Sequence, residues 1–434
     1  MGAGTSCLRQ LGGTRARCVR FGRLLNNAKV TRQIMLETAG EHTARAARGR
    51  HVLAIQDTSE LNFSAHAGRK QGFGTVGNGA DIGLFVHPLI VVEAVEGEPR
   101  NGGILGLADA FVINRLKGAD TSRRKRPIAQ KESQRWLDGV DAAGRVLGAA
   151  AMVTVVADRE SDIYEEFAQP RAGHVHLLLR AAQDRRLAGG GTLFASLDDV
   201  PGAGCQTIDV PAKAGQSARK ARTLVSFAAV DIARPVNAVG RASLPASVKL
   251  QAVRVTEIDP PAGVKPVEWF LLTTHTVESM ADALRMIGWY RQRWTIEQVF
   301  RTMKLQGFNI EDSQITTPEV MAKLAVAVLI GALRVMQLVH ARSGATGQRL
   351  ADAMDGADEP LVEALAAKLE GKTERLKNPH AKGSLARVSW VIGRLGGWDG
   401  YEGHGYKPAG PKTMAHGLTK FDAIREGWKM TKDV

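Results

Sequence analysis

Cysteine is scarce in this 434-residue chain: Cys7, Cys18 and Cys205 are the whole supply. An odd count with no CxxC pair indicates neither a disulfide framework nor a zinc knuckle, and it fits a reducing cytoplasm. Aromatic residues make up only 5%. No GxSxG occurs, so a serine nucleophile has no support. No apolar core follows the Arg-rich start, so no secretory signal is read there. The most apolar stretch, 321–340, is interrupted by Lys323 and Arg334. It reads as a buried Ala/Leu/Val helix rather than a membrane span, and no membrane partner is expected. Gly72, Gly74 and Gly77 match GxGxxG, but a dinucleotide turn needs a strand directly before and a helix directly after. Here the polar stretch 67–71 precedes and more glycines follow. A mobile loop is the better reading, and no small-molecule substrate is expected.

What the chain does have is positive charge and apolar bulk. Lys and Arg number 58 against 44 Asp and Glu, a formal +14. That balance favours a polyanionic partner, usually nucleic acid. Apolar residues make up 44%, enough for a large core in two or three domains.

Along the chain, residues 1–50 are basic and short of strand signals, and read as a basic helical region. Residues 51–57 (His-Val-Leu-Ala-Ile-Gln-Asp) have a buried-strand pattern ending at an acid. Apolar runs at 84–95 and 103–113 read as two more strands, and 129–148 has helical spacing around Trp136, Leu137, Val140 and Leu147. Residues 152–158 repeat the first theme, a strand ending at an acid. A helix from 162 to 167 and a strand from 174 to 179, closing at Arg180, follow. Three strands, a helix, a strand, a helix and a strand form the ribonuclease H-like α/β pattern. It spans 51–180 and resumes at 281–345. Between them, 181–280 reads as a mostly β insertion, with strands at 248–258 and 269–274. The last part, 346–434, reads as irregular with one short helix at 422–430.

Tyr290, Arg293, Glu297 and Lys304 lie in a stretch expected to be one helix, about 280–304. At about 100° per residue, offsets of 3, 7 and 14 bring all four within roughly 60°. A phenol and two cations can grip phosphate oxygens, and the carboxylate can ligate a hard cation such as magnesium. The alternative is a solvated face with charge pairs at helical spacing. Two-metal phosphoryl transfer needs three or four carboxylates around a cation pair, and strand ends are rigid supports for them. Asp57, Asp158 and Glu297 meet that requirement, although an Asp after a strand is also the ordinary cap of a turn. Glu160 and Asp162 are possible extra ligands, or one of them caps the next helix. His174 and His176 alternate on one strand, without a Cys or acidic partner that would point to a metal site. Residues 123–126 (Arg-Arg-Lys-Arg) are either a DNA or localisation patch or a solvated loop. Trp136, Trp269 and Trp294 are candidates for the core, and Trp269 alternatively for base stacking.

Three segments taken together resemble a DDE-type insertion-sequence transposase of the IS-four family, in the cut-and-paste branch with a Tyr-Arg-Glu-Lys signature. They are Ile55-Gln-Asp57-Thr-Ser-Glu-Leu, Val155-Val-Ala-Asp158-Arg-Glu-Ser-Asp-Ile-Tyr, and Tyr290, Arg293, Glu297 and Lys304 at their spacing. Gly-Gly-Trp398 and the segment 421–428 are also similar to that family. The resemblance implies a ribonuclease H-like core with a β insertion, and Asp57, Asp158 and Glu297 as ligands of Mg²⁺, for which Mn²⁺ can substitute. It implies that Tyr290, Arg293 and Lys304 hold phosphates near the cut, that Arg180 contacts DNA, and that Trp269 takes up a flipped base. It further implies cleavage at transposon ends and strand transfer into target DNA, in a homodimer paired through the C-terminal part, in a bacterial, nucleoid-associated setting. Relatives usually carry a longer N-terminal DNA-binding domain, so 1–50 is expected to be a partial one. The alternatives are a structure-specific nuclease or resolvase of the same fold, and a truncated, non-catalytic DNA-binding inhibitor.

Overall fold

The computed structural model describes residues 5–96, 102–116, 126–210, 217–240, 243–400 and 407–432. Residues 123–125 of the basic run lie outside this set. Three N-terminal helices come first: α1 (Leu8–Gly12), α2 (Arg15–Asn26) and α3 (Arg32–Ala47). The hydroxyls of Thr14 and Thr31 accept the backbone N–H groups of Arg17 and Ile34, which caps α2 and α3. Next come β1 (His51–Gln56), β2 (Ser59–Asn62), β3 (Gly74–Val76), β4 (Asp81–Glu93) and β5 (Ile104–Ile113). After these follow α4 (Gln134–Val146), β6 (Met152–Ala157), α5 (Tyr164–Ala168) and β7 (Val175–Arg180).

Strand β1 is the hinge of the arrangement. It pairs antiparallel with β4 and parallel with β6, and β6 pairs parallel with β7. A strand buried on both faces needs an unbroken apolar run, and β1 has one. Its Leu53 and Ile55 join the core on one side of the sheet, and its Val52 and Ala54 join the core on the other. Trp136, Val140, Tyr164 and Phe167, from α4 and α5, fill the second side.

The stretch expected as a mostly β insertion is continuous with this sheet. It consists of α6 (Leu193–Asp198), β8 (Gly204–Val210), β9 (Arg219–Ala233), β10 (Ser247–Glu257) and β11 (Glu268–Thr273). Strand β11 hydrogen-bonds to β7, so the order runs β2-β4-β1-β6-β7-β11-β10-β9-β8 in one sheet of 11 strands. The glycine-rich loop likewise contributes β3, paired to β4.

The expected single helix at 280–304 is two: α7 (Met280–Arg291) and α8 (Trp294–Lys304). Between them the backbone stays right-handed but tightens. Arg293 N–H bonds to the Tyr290 carbonyl at 3.0 Å and Ile296 N–H to the Arg293 carbonyl at 3.1 Å, both i to i−3. Gln292 is pulled inward, its Oε1 accepting Gly102 N–H at 3.1 Å. A Ser279–Asp282 capping box opens α7.

Helix α9 (Pro318–Ala341) is the one described helix long and apolar enough to cross a membrane. It is packed between the sheet, α8 and the C-terminal helices, and residues from Met321 to Met336 line the first core. The C-terminal part is more helical than expected: α10 (Glu359–Leu369), α11 (Leu385–Leu395) and α12 (Pro411–Lys432) pack with the end of α9 around a third core. One of its glycines serves close approach. A Cβ on Gly417 would stand 1.8 Å from the Ile392 carbonyl oxygen, where α12 crosses α11.

Candidate active site

Register places the first two acids. Ile55 is level with Val156, so Asp57 and Asp158, each two residues on, leave adjacent parallel strands side by side. Neighbouring strands lie about 4.8 Å apart. Ala157 is level with Leu179, so Arg180 ends the next strand beside Asp158. Arg180 in turn is level with Leu271 of β11, and Trp269 lies two residues further along the same edge. One end of the sheet thus presents Asp57, Asp158, Arg180 and Trp269 in a row.

Helices α7 and α8 cross this edge. Arg293, at their junction, reaches Asp57 Oδ2 at 2.6 Å and Glu297 Oε1 at 3.5 Å. Tyr290 is buried beneath and bonded to the Arg180 side chain, and it meets Trp269 edge-on with ring centroids 5.7 Å apart. Arg180 also donates to the Glu268 carbonyl at 2.8 Å. Lys304 stands apart from the acids and pairs with Glu311 at 3.7 Å. Lys304 ends α8, and the loop that follows docks on β2. There Glu311 accepts Asn62 N–H at 2.9 Å.

The electrostatics follow from burial. Asp57 is 8% exposed, and desolvation pushes its carboxyl up to about 7. The Arg293 guanidinium opposes the rise, whereas the charges of Asp158 and Glu297 add to it. Burial alone would lower Arg293, but Asp57, Tyr290, Asp158 and Glu297 together outweigh it and raise the group. Burial also raises the Tyr290 phenol and lowers Arg180. Carboxylate oxygens are hard donors of the kind that suit Mg²⁺ or Mn²⁺. Among the described residues no three His, Cys, Asp or Glu stand at metal-holding spacing, and here Arg293 bridges two of the acids.

The remaining candidates fall elsewhere. Asp158 itself caps the turn after β6, its Oδ1 accepting Glu160 N–H at 2.8 Å. Glu160 pairs outward with Arg135 at 3.1 Å. Asp162 is neither ligand nor cap: it is buried against Arg185 at 2.6 Å and accepts the N–H groups of Ala182 and Gln183 at 2.8 and 3.0 Å. Trp136 is fully buried, but Trp294 is 54% exposed at the start of α8 and is not a core residue. His176 lies at the far end of the sheet, stacked on His275 with centroids 4.1 Å apart.

Sequence reasoning missed the layer beneath the acids. Arg135 Nε donates to Thr58 Oγ1 at 3.0 Å, directly after Asp57. Thr58 contacts His87 at 2.8 Å, and His87 contacts Gln56 at 3.2 Å. Gln56 reaches Glu166, which also accepts from Ser161 at 2.6 Å. Burial pushes Glu166 up to about 8, so it is protonated at neutral pH and can donate within the network. The available signal was a polar residue inside an apolar strand: Gln56 in β1 and His87 in β4.

Residues 128–333 match the family described as a transposase DDE domain, a family of transposases. The matched span holds Asp158, Arg180, Trp269, Tyr290, Arg293, Glu297 and Lys304 and begins after Asp57. Among solved structures, the chain is similar to a cryo-EM structure of a piggyBac transposase synaptic complex with hairpin DNA, at 9% identity and a TM-score of 0.36. That similarity covers 76% of this chain and 57% of that chain, and is too slight to define a shared fold.

Proposed function

We propose that this chain is a DDE transposase, an enzyme that cuts DNA at the ends of a mobile element and joins them to target DNA. The observation that carries the reading is the pairing register. It sets Asp57 beside Asp158 at one edge of the sheet, where Glu297 is tied to Asp57 through Arg293. The family match over 128–333 supports it. A ribonuclease H-like core is supported by the strand order β5-β4-β1-β6-β7, with β1, β6 and β7 parallel and β4 antiparallel. The Tyr-Arg-Glu-Lys branch is supported by the clustering of Tyr290, Arg293 and Glu297, with Lys304 one further step along α8.

Asp57, Asp158 and Glu297 would hold divalent cations, Mg²⁺ with Mn²⁺ as a substitute. When bound, such ions supply Lewis-acid activation of an attacking oxygen and stabilisation of a leaving one. The protein's own groups do the rest. Arg180, Tyr290 and Arg293 form a row of donors for phosphate oxygens along the same edge, and Arg fits them bidentately. Lys304 extends that row toward the loop after α8. Trp269, half-buried and already packed on Tyr290, offers a ring face for an unstacked base. The basic helix α2, with no acid in it, adds sequence-independent attraction to DNA. The working form on DNA is a homodimer in the cytoplasm.

Purified protein with Mg²⁺ is expected to nick labelled DNA that carries the inverted repeats flanking its own gene. It should then join the released 3′ ends to a second duplex. Asp57→Ala is expected to retain gel-shift binding and lose cutting by at least about a hundredfold. Undiminished cutting by that variant would remove Asp57 from the ligand set, and cutting without joining would point to a nuclease.

A further inference from the structure

The cation nearest the acids belongs to the protein itself. Arg293 touches Asp57 at 2.6 Å and Glu297 at 3.5 Å, and the Arg293 and Asp57 side chains are only 15% and 12% exposed. Salt screens a pair this shielded much less than one at the surface. The planar fork of a guanidinium can meet two carboxylates at once, as an ammonium cannot. The other cations of the edge are engaged elsewhere: Arg180 with Tyr290 and the Glu268 carbonyl, Lys304 with Glu311.

We infer that Arg293 competes with the divalent metal for Asp57 and Glu297, and that DNA relieves the competition. The inference rests on the transposase reading above. A metal that takes these two carboxylates must displace the guanidinium, because both want the same oxygens. Once displaced, Arg293 stands at the edge where a phosphate would lie. A phosphate that draws Arg293 away leaves the acids with less compensating charge, which favours the metal. Metal and DNA phosphate therefore strengthen each other's binding, and linkage requires the two effects to be equal. Without DNA the acids are held in a closed ion-pair state with weak metal affinity. Arg293 thus acts as a positioning residue for the acids before it acts on phosphate.

The test is Mn²⁺ titration followed by electron paramagnetic resonance, on the full chain, with wild type, Arg293→Ala and Arg180→Ala. Without DNA, Arg293→Ala is expected to bind Mn²⁺ about tenfold more tightly than wild type, and Arg180→Ala, two strands from Asp57, to gain much less. Adding a duplex oligonucleotide should tighten Mn²⁺ binding to wild type but not to Arg293→Ala. Equal or weaker Mn²⁺ binding by Arg293→Ala overturns the competition, as does equal tightening by Arg180→Ala, which would mean a general charge effect. If neither wild type nor Arg293→Ala binds Mn²⁺, with or without DNA, the three acids are not a metal site. In that case the transposase reading fails as well, an outcome distinct from measurable but equal binding.

Discussion

At the scale of single residues, the acidic positions near the strand ends divide by what surrounds them. Asp57 is buried among like charges and kept partly neutral, which suits a group waiting for a cation. Asp162, four residues past Asp158, is saturated by Arg185 and two backbone N–H groups. That buried pair ties the turn carrying Asp158 to the segment just after Arg180. Asp162→Ala would strand a guanidinium and two N–H groups in the interior. The expected cost is ~3–5 kcal/mol in urea denaturation. A loss below about 1 kcal/mol, the value typical of an exposed pair, would contradict a structural role. Sequence spacing alone could not separate the two residues, because Asp158, Glu160 and Asp162 look alike until their partners are known.

At the scale of elements, strands with strong patterns were legible. The reading of 51–57, 103–113, 152–158 and 269–274 as strands matches β1, β5, β6 and β11 to within a residue or two at each end. Continuous apolar runs bounded by acids or glycines left few alternatives. The break between α7 and α8 was not legible. It depends on Gln292 bonding to Gly102, a contact 190 residues apart in sequence. Arg293 at the break still reaches Glu297, and Lys304 at the end of α8 pairs with Glu311. Strands β8 and β9 fall in the stretch read as mostly β, and their alternating burial is the strand signal that places them. Helices α10 and α11 fall in the stretch 346–434 that reads as irregular. Gly417, whose Cβ would collide with the Ile392 carbonyl, marks a tight helix crossing instead.

At the scale of the whole molecule, buried titratable groups set how stability depends on pH. Burial lowers His51 to about 4, His275 to about 3 and His340 to about 4, and it also lowers His87 and His176. Burial raises Asp57 to about 7 and Glu166 to about 8. Between about pH 4 and 6.5, unfolding lets these five imidazoles take up protons while the two carboxyls release theirs. The unfolded state therefore binds more protons, and stability rises with pH. Above about pH 6.5 the imidazoles are neutral in both states. The two carboxyls, protonated when folded, then make stability fall as pH rises through 7, and Lys70, which burial lowers to about 8, opposes the fall nearer pH 8. Thermal unfolding of metal-free protein should thus show a midpoint that climbs from about pH 4.5 and peaks near 6.5. A flat or descending midpoint below pH 6.5 would mean that the histidine cluster at the far end of the sheet is already charged.

The most direct test of a metal shared by three acids distant in sequence is radical footprinting of the protein itself. Fe²⁺ loaded in place of Mg²⁺ on the DNA-bound protein, with ascorbate and peroxide, cuts the backbone close to wherever the ion sits. Cuts are expected in three separate segments, around Asp57, Asp158 and Glu297, all suppressed by excess Mg²⁺. Cuts confined to one of those segments, or insensitive to Mg²⁺, would contradict a common metal site at this edge of the sheet.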